Sequence, residues 1–79
     1  MKITSLKANQ TEIELNNGTL VFVSYNTPVA AFIPGTGIVT TETKYSVNTT
    51  RHINAWVLDL AGPLATSTTR PQEFFDSLI

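Results

Sequence analysis

The sequence predicts an α+β fold, in which an antiparallel β-meander of four to five strands precedes one main helix and a short C-terminal helix. Turn signals at Asn17-Gly18, Asn26-Thr27 and residues 34–37 separate apolar runs of strand length, which predicts the meander. Apolar residues then recur at i, i+3, i+4 and i+7 within residues 53–60, the period of one helix face. A chain of 79 residues suffices for one domain, which we place at 1–79.

The first hairpin sets the predicted register. Strands are expected at Lys2 to Lys7 and at Thr11 to Leu15, where polar and apolar residues alternate. Asn17-Gly18 suits a two-residue type I′ turn, because both residues tolerate positive φ. That turn would pair Ile13 with Phe22, so the two side chains would share one face of the sheet.

The strand from Thr19 to Tyr25 is apolar on both sides, which predicts a central position with both faces buried. A two-residue turn at Asn26-Thr27 would place Val21 opposite Phe32. The following strand, Ile38 to Tyr45, is polar and is expected at the edge of the sheet.

Two helices are expected after the strands. The main one should run from Thr50 to Ala61, with Thr49 or Thr50 as its N-cap and Gly62-Pro63 as its stop. Residues 64–69 are rich in Thr and Ser and are expected to form a loop. Thr69 then precedes a proline and a glutamine, an arrangement typical of a second helix start.

Composition excludes several classes of function. Charged residues make up 14% of the chain and the net charge is −1, so a basic stripe for nucleic acid is not expected. The chain has no cysteine and one histidine, which leaves few metal ligands, and we expect no cofactor. No apolar run has the length of a signal peptide or a membrane span, so no membrane partner and a cytoplasmic location are expected.

The start of the main helix is the candidate ligand site. A helix N-terminus presents free amide donors and a partial positive charge, which suits an anion such as phosphate. Capping of the helix by threonine explains the same residues without any ligand, and we favour that interpretation. The candidate ligand-binding residues are Tyr45, Ser46, Thr49, Thr50, Arg51 and His52.

Catalysis is not expected. Ser46 and His52 have the residue types of a nucleophile and its base, and Glu42 or Asp59 could orient the imidazole. However, the Gly-x-Ser-x-Gly signature of a nucleophile elbow is missing, and a domain of this size leaves little room for a deep pocket. We therefore predict that the protein is not an enzyme.

The second face of the sheet is the candidate interface. The main helix can cover one face only, so the other would be covered by the short Phe-rich helix or by a second copy in a two-fold dimer. The interface residues expected there are Val21, Val23, Tyr25, Phe32, Phe74 and Phe75.

Two segments carry a resemblance to known proteins. Residues 22–30 contain Ser24-Tyr25-Asn26-Thr27-Pro28-Val29-Ala30, and residues 45–53 contain Tyr45-Ser46-Val47-Asn48-Thr49-Thr50-Arg51-His52. They resemble the patterns Ser-Tyr-x-Thr-x-Val-Ala and Tyr-Ser-x-Thr-Thr-x-x-His of a group of small, uncharacterised phage and mobile-element proteins, with Asn48 where the second pattern has threonine. The resemblance covers the middle half of the chain and implies a protein made inside a bacterial host, without implying an activity.

Two functional hypotheses follow. The first is a non-catalytic phage-type protein-interaction module, an inhibitor or adaptor that binds a host protein, a second copy in a homodimer, or both, through the apolar sheet face or an edge strand. The second is a small anionic-ligand or nucleotide binder that uses the helix start from Thr49 to His52.

Overall fold

The computed structural model describes residues 1–79 and has the predicted α+β architecture: a six-stranded sheet, one main helix and one short C-terminal helix. Neither helix has the length and apolar composition needed to cross a bilayer. The strands are β1 Lys2–Lys7, β2 Gln10–Glu14, β3 Leu20–Ser24, β4 Thr27–Ile33, β5 Gly37–Thr41 and β6 Ser67–Arg70, and the helices are α1 Val47–Ala61 and α2 Gln72–Asp76.

The strands lie in the order in which they occur along the chain. β1 to β5 form an antiparallel meander, and β6 pairs with β5 in parallel after the chain has passed through α1. The predicted loop at residues 64–69 is therefore wrong in part, because Ser67–Arg70 is a strand. β5 also ends at Thr41 rather than at Tyr45, and it is covered by β6 instead of forming the edge of the sheet.

The register of the first hairpin differs by one residue from the prediction. Ile13 pairs with Val21, and Glu12 pairs with Phe22. The connection has three residues, because the amide of Leu15 donates to the carbonyl of Thr19 at 2.8 Å and residues 16–18 lie between them. A one-residue shift moves every side chain of a strand to the other face. Glu12 therefore lies on the face of Phe22, where Ile13 was expected.

The second hairpin also differs. Its turn consists of Tyr25 and Asn26, since Ser24 pairs with Thr27, and a bulge follows between Phe22 and Val23. Beyond the bulge, Val21 pairs with Ala31 and Leu20 with Phe32. Val21 and Phe32 thus lie on opposite faces of the sheet, and the predicted apolar face that combined them is wrong.

The larger core lies between α1 and one face of the sheet. Its buried residues come from β3, β4, β5 and α1, and the rings of Phe22 and Trp56 stack at a centroid distance of 5.2 Å. The burial of these two large side chains contributes much of the hydrophobic stabilisation of this layer. The buried members of the cluster are Phe22, Val29, Ala30, Ile38 and Trp56.

A smaller core lies on the opposite face, where α2 packs. Phe75 is fully buried against Ala31 and Val39. The side chain of Gln72 accepts a hydrogen bond from Thr41 Oγ1 and donates one to the carbonyl of Pro28, each at 2.8 Å. A helix of five residues is not stable alone in water, so these contacts are what hold it.

The main helix begins three residues earlier than expected. Ser46 is its N-cap, and the Ser46 hydroxyl accepts a hydrogen bond from the amide of Thr49 at 3.1 Å. The predicted caps, Thr49 and Thr50, lie inside the first turn. The end at Ala61 agrees with the prediction, and the amide of Gly62 donates to the carbonyl of Leu58 at 2.8 Å.

Candidate functional site

The candidate ligand-binding residues all lie at or just before the first turns of α1. Thr49 is 5% exposed, whereas Thr50 and Arg51 are exposed. The hydroxyls of Ser46 and Thr49 lie 3.2 Å apart, and the Ser46 oxygen already accepts from the Thr49 amide. The capping interaction thus uses one of the amide donors that an anion would otherwise bind.

The partner of His52 is Ser24, which belongs to the first of the two resembling segments but was not among the candidate site residues. Nδ1 of His52 lies 2.8 Å from the hydroxyl oxygen of Ser24, which is 2% exposed at the end of β3. Ser46, which has the residue type of a nucleophile, is instead hydrogen-bonded to Thr49. Asp59 lines a separate groove with Leu6 and Trp56, so it does not orient the imidazole. Ser46 and His52 are therefore not hydrogen-bonded to each other as a nucleophile and its base would be.

A cavity of about 260 Å³, which we call the inner cavity, opens between the second hairpin and the segment that precedes α1. It brings together residues from both segments that carry the resemblance, although residues 31–44, which include the end of β4 and all of β5, separate those segments in the sequence. Its wall is mostly hydroxyl-bearing. The lining residues are Ser24, Tyr25, Thr27, Val29, Tyr45, Ser46 and Thr49.

Tyr25, which lines the inner cavity, has an uncommon backbone conformation. Its φ is +58°, in the left-handed region that bulky residues rarely adopt. Its amide donates a 2.7 Å hydrogen bond to the carbonyl of Asn9, which holds the turn, and its ring lies 5.6 Å from that of His52. Such a conformation costs about 1–3 kcal/mol and persists only where the surroundings enforce it.

A second cavity of about 500 Å³, the outer cavity, adjoins the first. The two share Tyr45 and Ser46, so one molecule could reach both. The outer cavity has two cationic side chains, Lys44 and Arg51, and no carboxylate in its lining. Both cavities are open to solvent.

His, Cys, Asp and Glu side chains form no group of three or more that could hold a metal ion.

A protein-family model matches residues 1–77, which is nearly the whole chain. The chain belongs to DUF8033, a family of unknown function. No curated protein and no solved structure is significantly similar to it. Membership of DUF8033 confirms the prediction of an uncharacterised family, and it leaves the activity to be argued from the geometry of the chain.

The residues predicted as an interface do not form one surface patch in this DUF8033 chain. Val21 and Phe75 are fully buried inside the monomer. Val23 and Phe32 are half-buried on opposite faces of the sheet. Phe74 packs beside the smaller core, and Tyr25, at 46% exposure, lies at the inner cavity.

The exposed apolar side chains of the sheet lie instead on β1. All six residues of β1 are exposed, and Ile3 and Leu6 have exposed fractions of 64% and 41%. α1 packs mainly on β3 and α2 on β4, and between β1 and α1 there is an open groove lined by Leu6 and Trp56. Because β1 pairs only with β2, its outer edge has unpaired backbone groups.

Proposed function

We propose that this chain is a non-catalytic protein-interaction module that binds an extended segment of another protein along β1. The observation that carries the proposal is that every residue of this edge strand is exposed, including the apolar side chains of Ile3 and Leu6. An isolated exposed leucine or isoleucine has no special meaning, but here one apolar side chain is exposed on each face of an unpaired edge strand, which supports strand addition.

The backbone of β1 would supply the affinity in this mode of binding. An added strand forms main-chain hydrogen bonds with the free edge, while its alternate side chains select the partner. Ile3 pairs with Ile13 of β2, so an added apolar side chain would extend an apolar row that already crosses the hairpin.

Charge favours a different protein over a second copy as the occupant. Antiparallel pairing of β1 with itself, centred between Thr4 and Ser5, would place Lys2 opposite Lys7 of the other copy. Like charges directly opposite each other destabilise a strand pair, whereas a partner strand with a carboxylate at each end would be complementary. We therefore propose an extended acidic segment with apolar residues at its centre.

The setting proposed for this interaction is the cytoplasm of a bacterial host. The resemblance of residues 22–30 and 45–53 to phage and mobile-element proteins supports a chain produced during infection or element carriage. A small protein that occupies one strand-binding surface of a host protein would act as an inhibitor or as an adaptor.

Affinity capture from bacterial lysate, followed by mass spectrometry and by measurement of Kd with the purified partner, tests the proposal. The double variant Ile3→Lys/Leu6→Lys should weaken binding at least tenfold. Leu64→Lys is the matched control, because Leu64 is 92% exposed but lies between α1 and β6. A folded double variant that keeps the affinity of the wild type would refute β1 as the binding surface.

The solution mass is the second readout. A monomer is expected in the absence of partner, with binding that weakens at high salt because Lys2 and Lys7 contribute through electrostatics. A stable dimer that the Ile3→Lys/Leu6→Lys variant dissociates would show that the occupant of β1 is a second copy instead.

A second candidate function is the binding of a small anionic ligand or nucleotide at the helix start from Thr49 to His52. The specific observation in its favour is the outer cavity, in which Lys44 and Arg51 are present without a carboxylate. Ligands that bind only the folded state raise its apparent stability. Unchanged thermal unfolding with nucleotides at millimolar concentration would eliminate this candidate.

A further inference from the structure

We propose that the inner and outer cavities together bind one small molecule that combines a planar ring with an anionic group, of the class of nucleoside monophosphates. This inference rests on the second candidate function and adds to it the ring-binding half, which is formed by the hairpin turn at Tyr25 and by Tyr45.

The inner cavity has the walls expected for a ring. Tyr25 and Tyr45 are each about half exposed at its mouth, and Val29 is fully buried at its wall. Small-molecule sites are typically lined by apolar and aromatic side chains, with a few polar groups that fix orientation. Its volume of about 260 Å³ is large enough for one planar heterocyclic ring.

The polar groups of the inner cavity are poised to donate. The hydroxyls of Ser46 and Thr49 share one contact at 3.2 Å, and each hydroxyl has one proton. Only one of the two hydroxyl protons can lie in the hydrogen bond between these oxygens, so the proton of the other hydroxyl has no acceptor in that contact. Thr49 is only 5% exposed, and the side chains of both Ser46 and Thr49 line the cavity. A carbonyl oxygen on the ring would accept the remaining proton.

The outer cavity supplies the charge. Lys44 and Arg51 lie in its lining, and the planar guanidinium of arginine matches phosphate oxygens in a bidentate geometry. Because the amide of Thr49 is already bonded to Ser46, the attraction comes from these side chains rather than from that backbone donor.

The two halves are adjacent because they share Tyr45 and Ser46. A ring seated between the tyrosines would direct its substituent across Ser46 toward Arg51. Ligands that have only a ring or only an anion would each lose half of these contacts. The geometry therefore favours a molecule with both parts over either part alone.

The test uses amide chemical-shift titration of the labelled protein with three probes: uridine 5′-monophosphate, uridine and inorganic phosphate. We expect the monophosphate to shift amides around both cavities and to bind at least tenfold more tightly than the other two. Equal affinity of the monophosphate and inorganic phosphate would overturn the two-cavity proposal while leaving the second candidate function standing. Binding by none of the three would overturn both.

Single variants separate the two halves. Arg51→Gln should remove the preference for the monophosphate over uridine, and Arg70→Gln is the matched control because its side chain bonds only to the carbonyl of Thr69 at 2.9 Å. Tyr25→Gly should remove the preference for the monophosphate over phosphate. It also relieves the positive φ, so loss of binding would not arise from backbone strain.

Tyr45→Ala provides a second probe of the ring site if Tyr25→Gly is unfolded. Tyr45 is 47% exposed and lies outside the helices and strands, so its removal leaves both cores intact. Unchanged monophosphate affinity in a folded Tyr25→Gly or Tyr45→Ala variant would overturn the ring-binding half.

Discussion

Nε1 of Trp56 donates a 2.9 Å hydrogen bond to Oε1 of Glu12, and this bond joins α1 to β2 across one face of the sheet. Trp56 is 4% exposed, so its indole N–H has little access to water. A buried donor that loses its acceptor keeps the full cost of its desolvation. The carboxylate of Glu12 therefore stabilises the position of the helix on the hairpin.

Replacement of Glu12 measures this contribution. Glu12→Ala should lower the free energy of unfolding by about 1.5–3 kcal/mol, because the bond has a charged acceptor, and Glu12→Gln should recover about half of the loss. Urea unfolding can be followed by the fluorescence of Trp56, which is the only tryptophan. Glu14→Ala is the control, since Glu14 is exposed on the same strand. An equal effect of the two alanine variants would contradict a stabilising role of the bond.

The sequence located β2 and β3 but assigned the wrong faces to β2. Asn17-Gly18 is compatible both with a two-residue turn and with a three-residue loop that ends in a left-handed glycine. The structure has the three-residue loop, in which Gly18 has a φ of +88° and Asn17 Oδ1 accepts a 3.0 Å hydrogen bond from the amide of Thr19. Residue types alone do not distinguish these turns, yet the choice decides that Glu12 faces Trp56.

The conformation of Gly18 is directly testable. Gly18→Ala should lower the free energy of unfolding by about 1–2 kcal/mol, because a Cβ disfavours left-handed backbone conformations. A Cβ at this position would lie 3.4 Å from Cγ of Pro34, which is an ordinary contact, so the loss would come from the backbone. Gly18→Asn should cost less, because asparagine tolerates this region better. Equal losses in chemical denaturation would instead indicate a steric origin.

The sixth strand could not be predicted from periodicity. Ser67–Arg70 has the sequence Ser-Thr-Thr-Arg and every side chain is exposed, so it has neither the alternation nor the apolar run that marks a strand. It forms because β5 presents a free edge at the position where the chain returns from α1. β6 therefore depends on tertiary contacts with β5. The helical spacing of apolar residues within 53–60, in contrast, is a local pattern that can be recognised in the sequence.

The formation of β6 can be tested by the hydrogen-exchange rate of the amide of Glu42, a residue outside this strand. The amide of Glu42 donates to the carbonyl of Arg70 at 2.9 Å, although Glu42 itself is exposed and follows the end of β5. We expect this amide to exchange at least tenfold more slowly than that of Lys44, which lies outside the sheet. Similar exchange rates for Glu42 and Lys44 in an otherwise protected sheet would mean that β6 does not form in solution.

The candidate site was predictable only on its helical side. Ser46, Thr49 and Arg51 are recognisable in the sequence because residue types that cap helices, together with a cation, come just before apolar residues with helical spacing. The role of Ser24 as the partner of His52 could not be recognised in this way, because a serine at the end of an apolar run indicates only the end of a strand. Its hydrogen bond to His52 spans 28 residues and depends on the bulge and the turn that shape the second hairpin.

Phe75 is the anchor of the C-terminal helix, and its replacement distinguishes a core role from the interface role predicted for it. It is fully buried against β4 and β5, while Phe74 is only partly buried and meets its ring edge-on at 5.2 Å. Phe75→Ala should lower the free energy of unfolding by about 3–5 kcal/mol, and Phe74→Ala by about 1–2 kcal/mol.

Thermal and urea unfolding of the two variants supply the measurement, with Phe75→Leu as a milder substitution that keeps most of the buried volume. The stability of a small domain is close to the loss expected for Phe75→Ala, so this variant should be largely unfolded, whereas Phe74→Ala should remain folded. Phe75 in an interface would give the opposite result, a folded Phe75→Ala variant with a changed solution mass. That outcome would mean that α2 leaves the sheet to contact another molecule, because the side chain has no exposed surface while the helix is docked.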